Sequence, residues 1–387
     1  MHFESLSPRV NLEQSRKQAK DLLKAFRAGD PQVLDRIRWN HPRFRGLTDD
    51  QIRRGKFVLA DAQLVIARLH YFDNWSGLLR HIETMTRRDP RVGRFEEAAD
   101  AIIAGDIAKL ESLLRAHADL VEQRSTRAHG APLLHYVAAN GVEDYRQLTP
   151  ANAVDVARLL LDSGAEVDAT SHAYGGGSTA LGLVATSTPS RRAGVQIPLI
   201  DLLLERGAAI DGVRPGASSV RDALANGCPE AAQALADRGA RLDIVAAAGV
   251  GRLDLVRKYS DGANARELVE ALVTAAGTEG GYDVVEYLLD LGVDIAGGTG
   301  WTALHSATGG ADLRIIDLLI RRGAPLEPRN MYGGTVLGQA LWFASHGDPA
   351  DIGDYVRVID MLIAAGARTD AYPQMMQQIE EVRRRSM

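Results

Sequence analysis

One phrase is written five times along this 387-residue chain. The copies are Leu159-Leu160-Leu161-Asp162-Ser163-Gly164-Ala165, Leu202-Leu203-Leu204-Glu205-Arg206-Gly207-Ala208, Leu288-Leu289-Asp290-Leu291-Gly292-Val293, Leu318-Leu319-Ile320-Arg321-Arg322-Gly323-Ala324 and Leu362-Ile363-Ala364-Ala365-Gly366-Ala367. Weaker copies end at Gly239-Ala240 and Gly262-Ala263, and a degenerate one sits at His117-Ala118. Self-similarity at a period of tens of residues constrains architecture more than any local propensity, because each copy is a unit that buries its apolar face only against its neighbours. Each phrase predicts an amphipathic helix with inward leucines, closed by a glycine that enters the left-handed region at little cost. Asp168, Asp211, Asp243 and Asp294 follow as residues suited to starting the next turn. The glycines at 164, 207, 239, 262, 292, 323 and 366 lie 43, 32, 23, 30, 31 and 43 residues apart, so three units are lengthened and one is shortened.

Composition agrees with helices joined by glycine turns. Aromatic residues are only 5% of the chain, too few for a β-sandwich or propeller of this size, while 45% hydrophobic and 25% charged content describes an ordinary globular protein. Cys228 is the single cysteine, which excludes an intrachain disulfide and any zinc site built on several cysteines and fits a reducing cytoplasm. The start Met1-His2-Phe3-Glu4-Ser5 has neither a basic n-region nor an apolar h-region, and no run approaches a membrane span, so no membrane association is expected. Charge is uneven: residues 1–92 hold 18 Lys and Arg against 11 Asp and Glu, and residues 93–387 hold 27 against 39. Opposite signs predict attraction between the two parts. The basic residues are spread along amphipathic helices, which favours a solvated or docking face, so no nucleic acid is expected as a partner.

Upstream of each phrase lies a shorter helix, clearest in Gly300-Trp301-Thr302-Ala303-Leu304-His305-Ser306-Ala307. This resembles the ankyrin signature T-P-L-H-x-A, with Thr302 opening the helix and His305 placed to hydrogen-bond across the turn. Pro132-Leu133-Leu134-His135 is a looser match. The resemblance to ankyrin repeat proteins covers roughly 70% of the chain and implies an all-α ankyrin-repeat solenoid of about eight irregular helix pairs, near the usual period of about 33 residues. Domain limits follow: an amino-terminal helical cap module at 1–92, the repeat array at 93–372 and a carboxy-terminal capping helix at 373–387. In the module, Asn11 to Ala28 and Pro31 to Trp39 read as helices, and Thr48-Asp49-Asp50-Gln51 opens a stretch that continues through the apolar Leu59 to Arg68. The run Asp61 to Trp75 resembles a small module that precedes ankyrin arrays in other bacterial proteins.

Insertions fall between the two helices of a unit, at Gly141 to Ala153, Thr186 to Pro198 and His346 to Tyr355. Two long units also share Tyr174-Gly175-Gly176-Gly177-Ser178-Thr179-Ala180-Leu181-Gly182 and Tyr332-Gly333-Gly334-Thr335-Val336-Leu337-Gly338, where Gly182 and Gly338 replace the usual ankyrin histidine. These runs resemble a bacterial ankyrin subfamily of no known activity. Neither is a nucleotide loop, since G-x-x-x-x-G-K-[ST] and a strand-following G-x-G-x-x-G are both missing. No catalytic set is identified and no metal motif, H-E-x-x-H or Cys/His cluster, is present, so no cofactor is expected. His172, Tyr174, Gln196, Trp301, Tyr332, Gln339, Trp342 and His346 are the candidate binding residues, polar and aromatic side chains in the turns, first helices and insertions that line an ankyrin groove. The expected function is recognition of a protein or peptide partner through the concave face. The alternative is an enzyme or small-molecule binder with its site near the Tyr-Gly-Gly turns; it requires a closed pocket with convergent titratable groups.

Overall fold

The computed structural model describes residues 11–86, 90–298, 300–346 and 352–377. Its contacts divide the chain into two compact units, the first ending at Ala217 and the second starting at Ser218. No strand is present among the described residues, which hold only two isolated β-bridges.

Unit one opens with five helices, α1 (Leu12–Arg27), α2 (Gln32–Asn40), α3 (Asp49–Arg54), α4 (Leu59–Leu69) and α5 (Trp75–Thr86). Side-chain caps start two of them: Asn11 accepts the Gln14 amide, and Thr48 with Gln51 forms a reciprocal capping box that satisfies two otherwise orphaned donors. The stretch from Thr48 to Arg68 is interrupted, contrary to its expected continuity. Gly55 lies against the Phe44 ring with no room for a β-carbon, and α4 restarts at Leu59. Ala19, Leu22, Ile37, Phe44, Ile52, Val65 and Leu78 close one core over this module.

Three helix pairs follow in the same unit: α6 (Pro90–Ala104) with α7 (Ile107–Ala116), a 3₁₀ turn (Leu133–Ala138) with α8 (Ala153–Asp162), and α9 (Ala180–Ala185) with α11 (Gln196–Glu205). The short α10 (Thr188–Arg192) lies inside the second insertion. Unit two holds five pairs: α12 (Ser219–Ala225) and α13 (Pro229–Asp237), α14 (Ile244–Gly249) and α15 (Leu253–Ser260), α16 (Ala265–Ala276) and α17 (Tyr282–Asp290), α18 (Ala303–Gly310) and α19 (Leu313–Arg321), α20 (Val336–His346) and α21 (Ile352–Ala364). First helices neighbour first helices, α12 through α20, and second helices neighbour second helices, α15 through α21. Alanines such as Ala247, Ala271, Ala275 and Ala307 let the first helices approach, while Ile315, Ile316 and Leu319 drive the outer row into the same core. Residues 373–377 are helical, and the rest of the expected carboxy-terminal cap lies outside the described residues.

The repeated phrase closes each second helix as its chemistry requires. Gly164, Gly207, Gly239, Gly292, Gly323 and Gly366 all have φ between 81° and 98°, and the amide three residues beyond each helix end bonds back five residues, as Ala324 N–H does to Leu319 O at 2.9 Å. This is the Schellman arrangement. Gly262, in the shortened unit, differs: Ala263 bonds only to Ser260 O, and the helix ends without a left-handed residue. The aspartates that follow divide as well. Asp243 and Asp294 accept amides two or three residues on, whereas both oxygens of Asp168 reach the Ala209 amide of the next pair at 3.1 Å.

Candidate functional site

The first insertion contributes to a buried ion cluster in unit one, and none of its residues is among the eight sequence candidates. Glu143 and Arg146 fold inward from this loop onto Arg127 of the preceding turn and Glu96 of α6, and all four are buried. Arg127 reaches Glu96 at 2.6 Å and Glu143 at 2.7 Å; Arg146 reaches Glu96 at 2.8 Å and Asp100 at 2.6 Å. Tyr145 accepts from Arg127 at 3.1 Å, and His129 Nε2 stands 3.7 Å from Glu143, beyond hydrogen-bond reach. Burial pushes the Glu143 carboxyl up, but the His129 imidazole and the two guanidiniums outweigh it and hold the group down at about 2. Glu96 is likewise lowered, burial being outweighed by Arg127 and Arg146. These carboxylates are therefore ionised and occupied by guanidinium, an arrangement suited to fixing a loop and unsuited to accepting a proton from a substrate.

The same loops hold the amino-terminal module. Ala128 N–H donates to Tyr71 O at 2.7 Å, the Tyr71 hydroxyl donates to Asp144, and His81 Nδ1 pairs with the Thr126 hydroxyl at 2.8 Å. Tyr71 and His81 thus meet the loops at 126–128 and 144 through specific hydrogen bonds, beyond the diffuse attraction that net charge predicts. The second insertion is also used internally: the Ser187 and Ser190 hydroxyls both donate to Ala138 O, satisfying the end of the 3₁₀ turn.

The eight candidate residues separate into distinct environments. In unit one, the Gln196 amide is buried and donates to Val184 O at 2.9 Å and to Ala185 O at 3.2 Å, closing the end of α9. His172 is exposed and bonds through its backbone to His129 O. Tyr174 is 71% exposed with φ of 51°, and its hydroxyl donates to Asn140. In unit two, Gln339 is buried, donating to His305 O at 2.9 Å and accepting from Asn330. Above it the second Tyr-Gly-Gly turn is tied by Asn330, whose Oδ1 accepts the Tyr332 and Gly334 amides, each at 3.0 Å. Tyr332 projects from this turn at 83% exposure, beside Met331 at 68%, and the Trp301 ring meets it edge-on at 6.5 Å. Trp342, 51% exposed on α20, stacks on His346 at 5.1 Å. The structure therefore brings Trp301 and Tyr332 together with Gln339 beneath them, and pairs Trp342 with His346.

Both matches to the ankyrin histidine are buried. His135 Nε2 bonds to Ala169 O of the next turn at 2.8 Å, and His305 Nδ1 lies 2.9 Å from the Thr302 hydroxyl in a capping box. At Gly338 the missing histidine has a replacement. The Tyr372 hydroxyl accepts the Thr335 amide at 3.1 Å and occupies the space where a β-carbon on residue 338 would stand. Gly182 has no such occupant, its nearest neighbour being the Thr179 hydroxyl that caps α9. Gly338→Ala should consequently cost about 1–3 kcal/mol through overpacking. In a double-mutant cycle with Tyr372→Ala the two losses should be strongly non-additive; additive losses would show that the phenol is not what excludes a side chain there.

The family model described as "Ankyrin repeats (many copies)" matches residues 272–320, from the end of α16 through α19. Residues 272–320 carry ankyrin repeats. Among solved structures it is similar to the human ASB11 ankyrin repeat domain, at 21% identity over 61% of this chain and 98% of that chain, with a TM-score of 0.29. No curated protein matches. Among the described residues the fold is all-α, and over residues 272–320 it is ankyrin-type, as the repeated phrase and the T-x-x-H segment around His305 imply. Among the described residues no helix is long and apolar enough to cross a membrane, and no group of His, Cys, Asp and Glu is arranged to hold a metal.

Proposed function

We propose that the chain is a protein-recognition scaffold that binds its partner through the first helices and turns of the ankyrin array, with Trp301, Met331 and Tyr332 of unit two as the main contact and the Trp342–His346 pair as a second one. The observation that carries this reading is the exposure of Met331 and Tyr332 on a turn that Asn330 holds rigid from beneath. A large aromatic side chain presented on a pre-organised backbone loses little entropy on docking, which is the signature of an interface anchor. Tyr174, on the corresponding turn of unit one, is likewise exposed, with its hydroxyl donating to Asn140. The small-molecule alternative gains no support from these residues, because Gln196 and Gln339 spend their amides on backbone carbonyls.

A photo-crosslinking residue placed at Tyr332, and separately at Arg321 on the outer helix α19, tests the assignment in lysate of the native host. One defined adduct is expected from position 332, competed by excess unlabelled protein, and none from position 321. Equal labelling at both positions, or no competable adduct at 332, would remove the recognition surface from this face.

A further inference from the structure

We propose that the amino-terminal module binds single-stranded nucleic acid, with Trp39 as a base-stacking platform and Arg36, Arg45 and Lys56 as phosphate contacts. The observation is an aromatic ring left out of a core that absorbs its fellows. Phe26, Phe44 and Phe57 pack ring against ring inside the module, and Phe72 is buried with them, whereas Trp39 at the end of α2 is 68% exposed. The charge around it is just as uneven. Residues 32–59 contain seven Lys and Arg against three Asp. Asp35 and Asp49 are both taken by Arg38, and the adjoining Asp61 is shared between Arg43 and His41. Arg36, Arg45 and Lys56 have no carboxylate partner among the described residues, and Arg45 and Lys56 are exposed. Arg43 bonds to both Lys56 O and Asp61, and Arg38 to Leu47 O, so the segment carrying Arg45 runs between the end of α2 and the start of α4.

An exposed indole on a basic segment, with Arg36 one helical turn before it on α2, matches what a single strand requires, a π-face for a base and positive charge along the backbone. A lipid surface is less well served. Membrane-surface helices bury a continuous apolar face, and here those faces are spent on the module core through Leu22, Val33, Ile37, Val65 and Ile66; apart from Trp39, the exposed large apolar residues among the described residues of the module are Val58 and Leu59, each 38% exposed. A duplex is disfavoured because its bases are already stacked.

The test uses the full chain with fluorescein-labelled oligo(dT) and oligo(U), a labelled duplex, and vesicles of phosphatidylcholine and phosphatidylserine. Both single strands should bind at low salt, with log affinity falling against log salt at a slope of about −0.7 for each phosphate neutralised. A preference between the two strands would distinguish DNA from RNA as the source. Trp39→Ala should weaken binding about 5- to 150-fold, Trp39→Phe should recover most of that loss, and neither should move the melting temperature. The triple change Arg36→Glu, Arg45→Glu, Lys56→Glu should abolish binding at physiological salt. Absence of single-strand binding at low salt, equal binding by Trp39→Ala, a Trp39→Phe loss as large as that of alanine, or preference for the duplex or the vesicles would each overturn the assignment.

Discussion

Arg146→Met should destabilise unit one by about 3–5 kcal/mol, the cost of leaving buried carboxylates without their counter-charge. Arg146 contacts Glu96 and Asp100 directly and stands 3.4 Å from Glu143, and its loss leaves one guanidinium, Arg127, facing both buried glutamates. Glu143→Gln should cost less, because the amide oxygen still accepts from Arg127, although the charge attraction is lost. Replacing Glu96, Arg127, Glu143 and Arg146 together with apolar residues of similar volume should recover much of the single-site loss, since a buried ion cluster repays its desolvation only when complete. Urea unfolding of the single variants gives the first number. Proteolysis of the native state gives the second, because the loop from Gly141 to Pro150 should become cleavable when its inward anchors are removed. A change below about 1 kcal/mol for Arg146→Met would mean that water reaches the cluster and screens it.

That cluster marks where the sequence stops being readable. The helix pairs were legible because their signals are local: Leu318 to Ala324 contains both the inward residues and the glycine that ends the helix, and Thr302 finds His305 three residues away. Glu96 finds Arg127 and Arg146 at separations of 31 and 50 residues, across two repeats, and no period in the chain announces such a pairing. The available hint was the density of charge in the first insertion, Glu143-Asp144-Tyr145-Arg146, in a loop where solvated residues would serve equally well. Tyr372 is a case of the same kind. The departure at Gly338 was visible as a missing histidine, but the phenol that fills the place comes from 37 residues away. Among the candidate binding residues, type alone did not separate glutamines that close helix ends from aromatics that face outward. Gln339 and Trp342 lie three residues apart on α20, and the first is buried while the second is 51% exposed.

Lowering the pH from 7 to 4 should unfold unit one before unit two. His70 and His81 are buried at the junction of the module with the first repeat; burial first, and then the Arg127 charge, bring each imidazole down to about 4, and burial brings His135 to about 4 as well. A histidine whose folded value lies below its unfolded value of 6.5 is protonated more readily in the unfolded chain. Its contribution is complete above about pH 6.5 and is lost as the pH falls toward 4, at up to about 3 kcal/mol for each group. Three such groups in one unit compare with a total domain stability of about 5–15 kcal/mol. Glu143 extends the loss: held at about 2, it stabilises the fold above about pH 4.5 and ceases to do so as the pH drops toward 2. In unit two His305 is also lowered, by burial, and it is the one buried histidine described there. The tryptophans divide between the units, Trp39 and Trp75 in the first and Trp301 and Trp342 in the second, so a Trp301→Phe, Trp342→Phe variant reports on unit one and a Trp39→Phe, Trp75→Phe variant on unit two. Acid titration of the first variant should show a transition between about pH 6 and 4, and that of the second a transition at lower pH. His81→Gln should move the first midpoint downward and leave the second in place. Coincident transitions, or a unit-one stability unchanged from pH 7 to 4.5, would show that these histidines reach water and titrate freely in the folded chain.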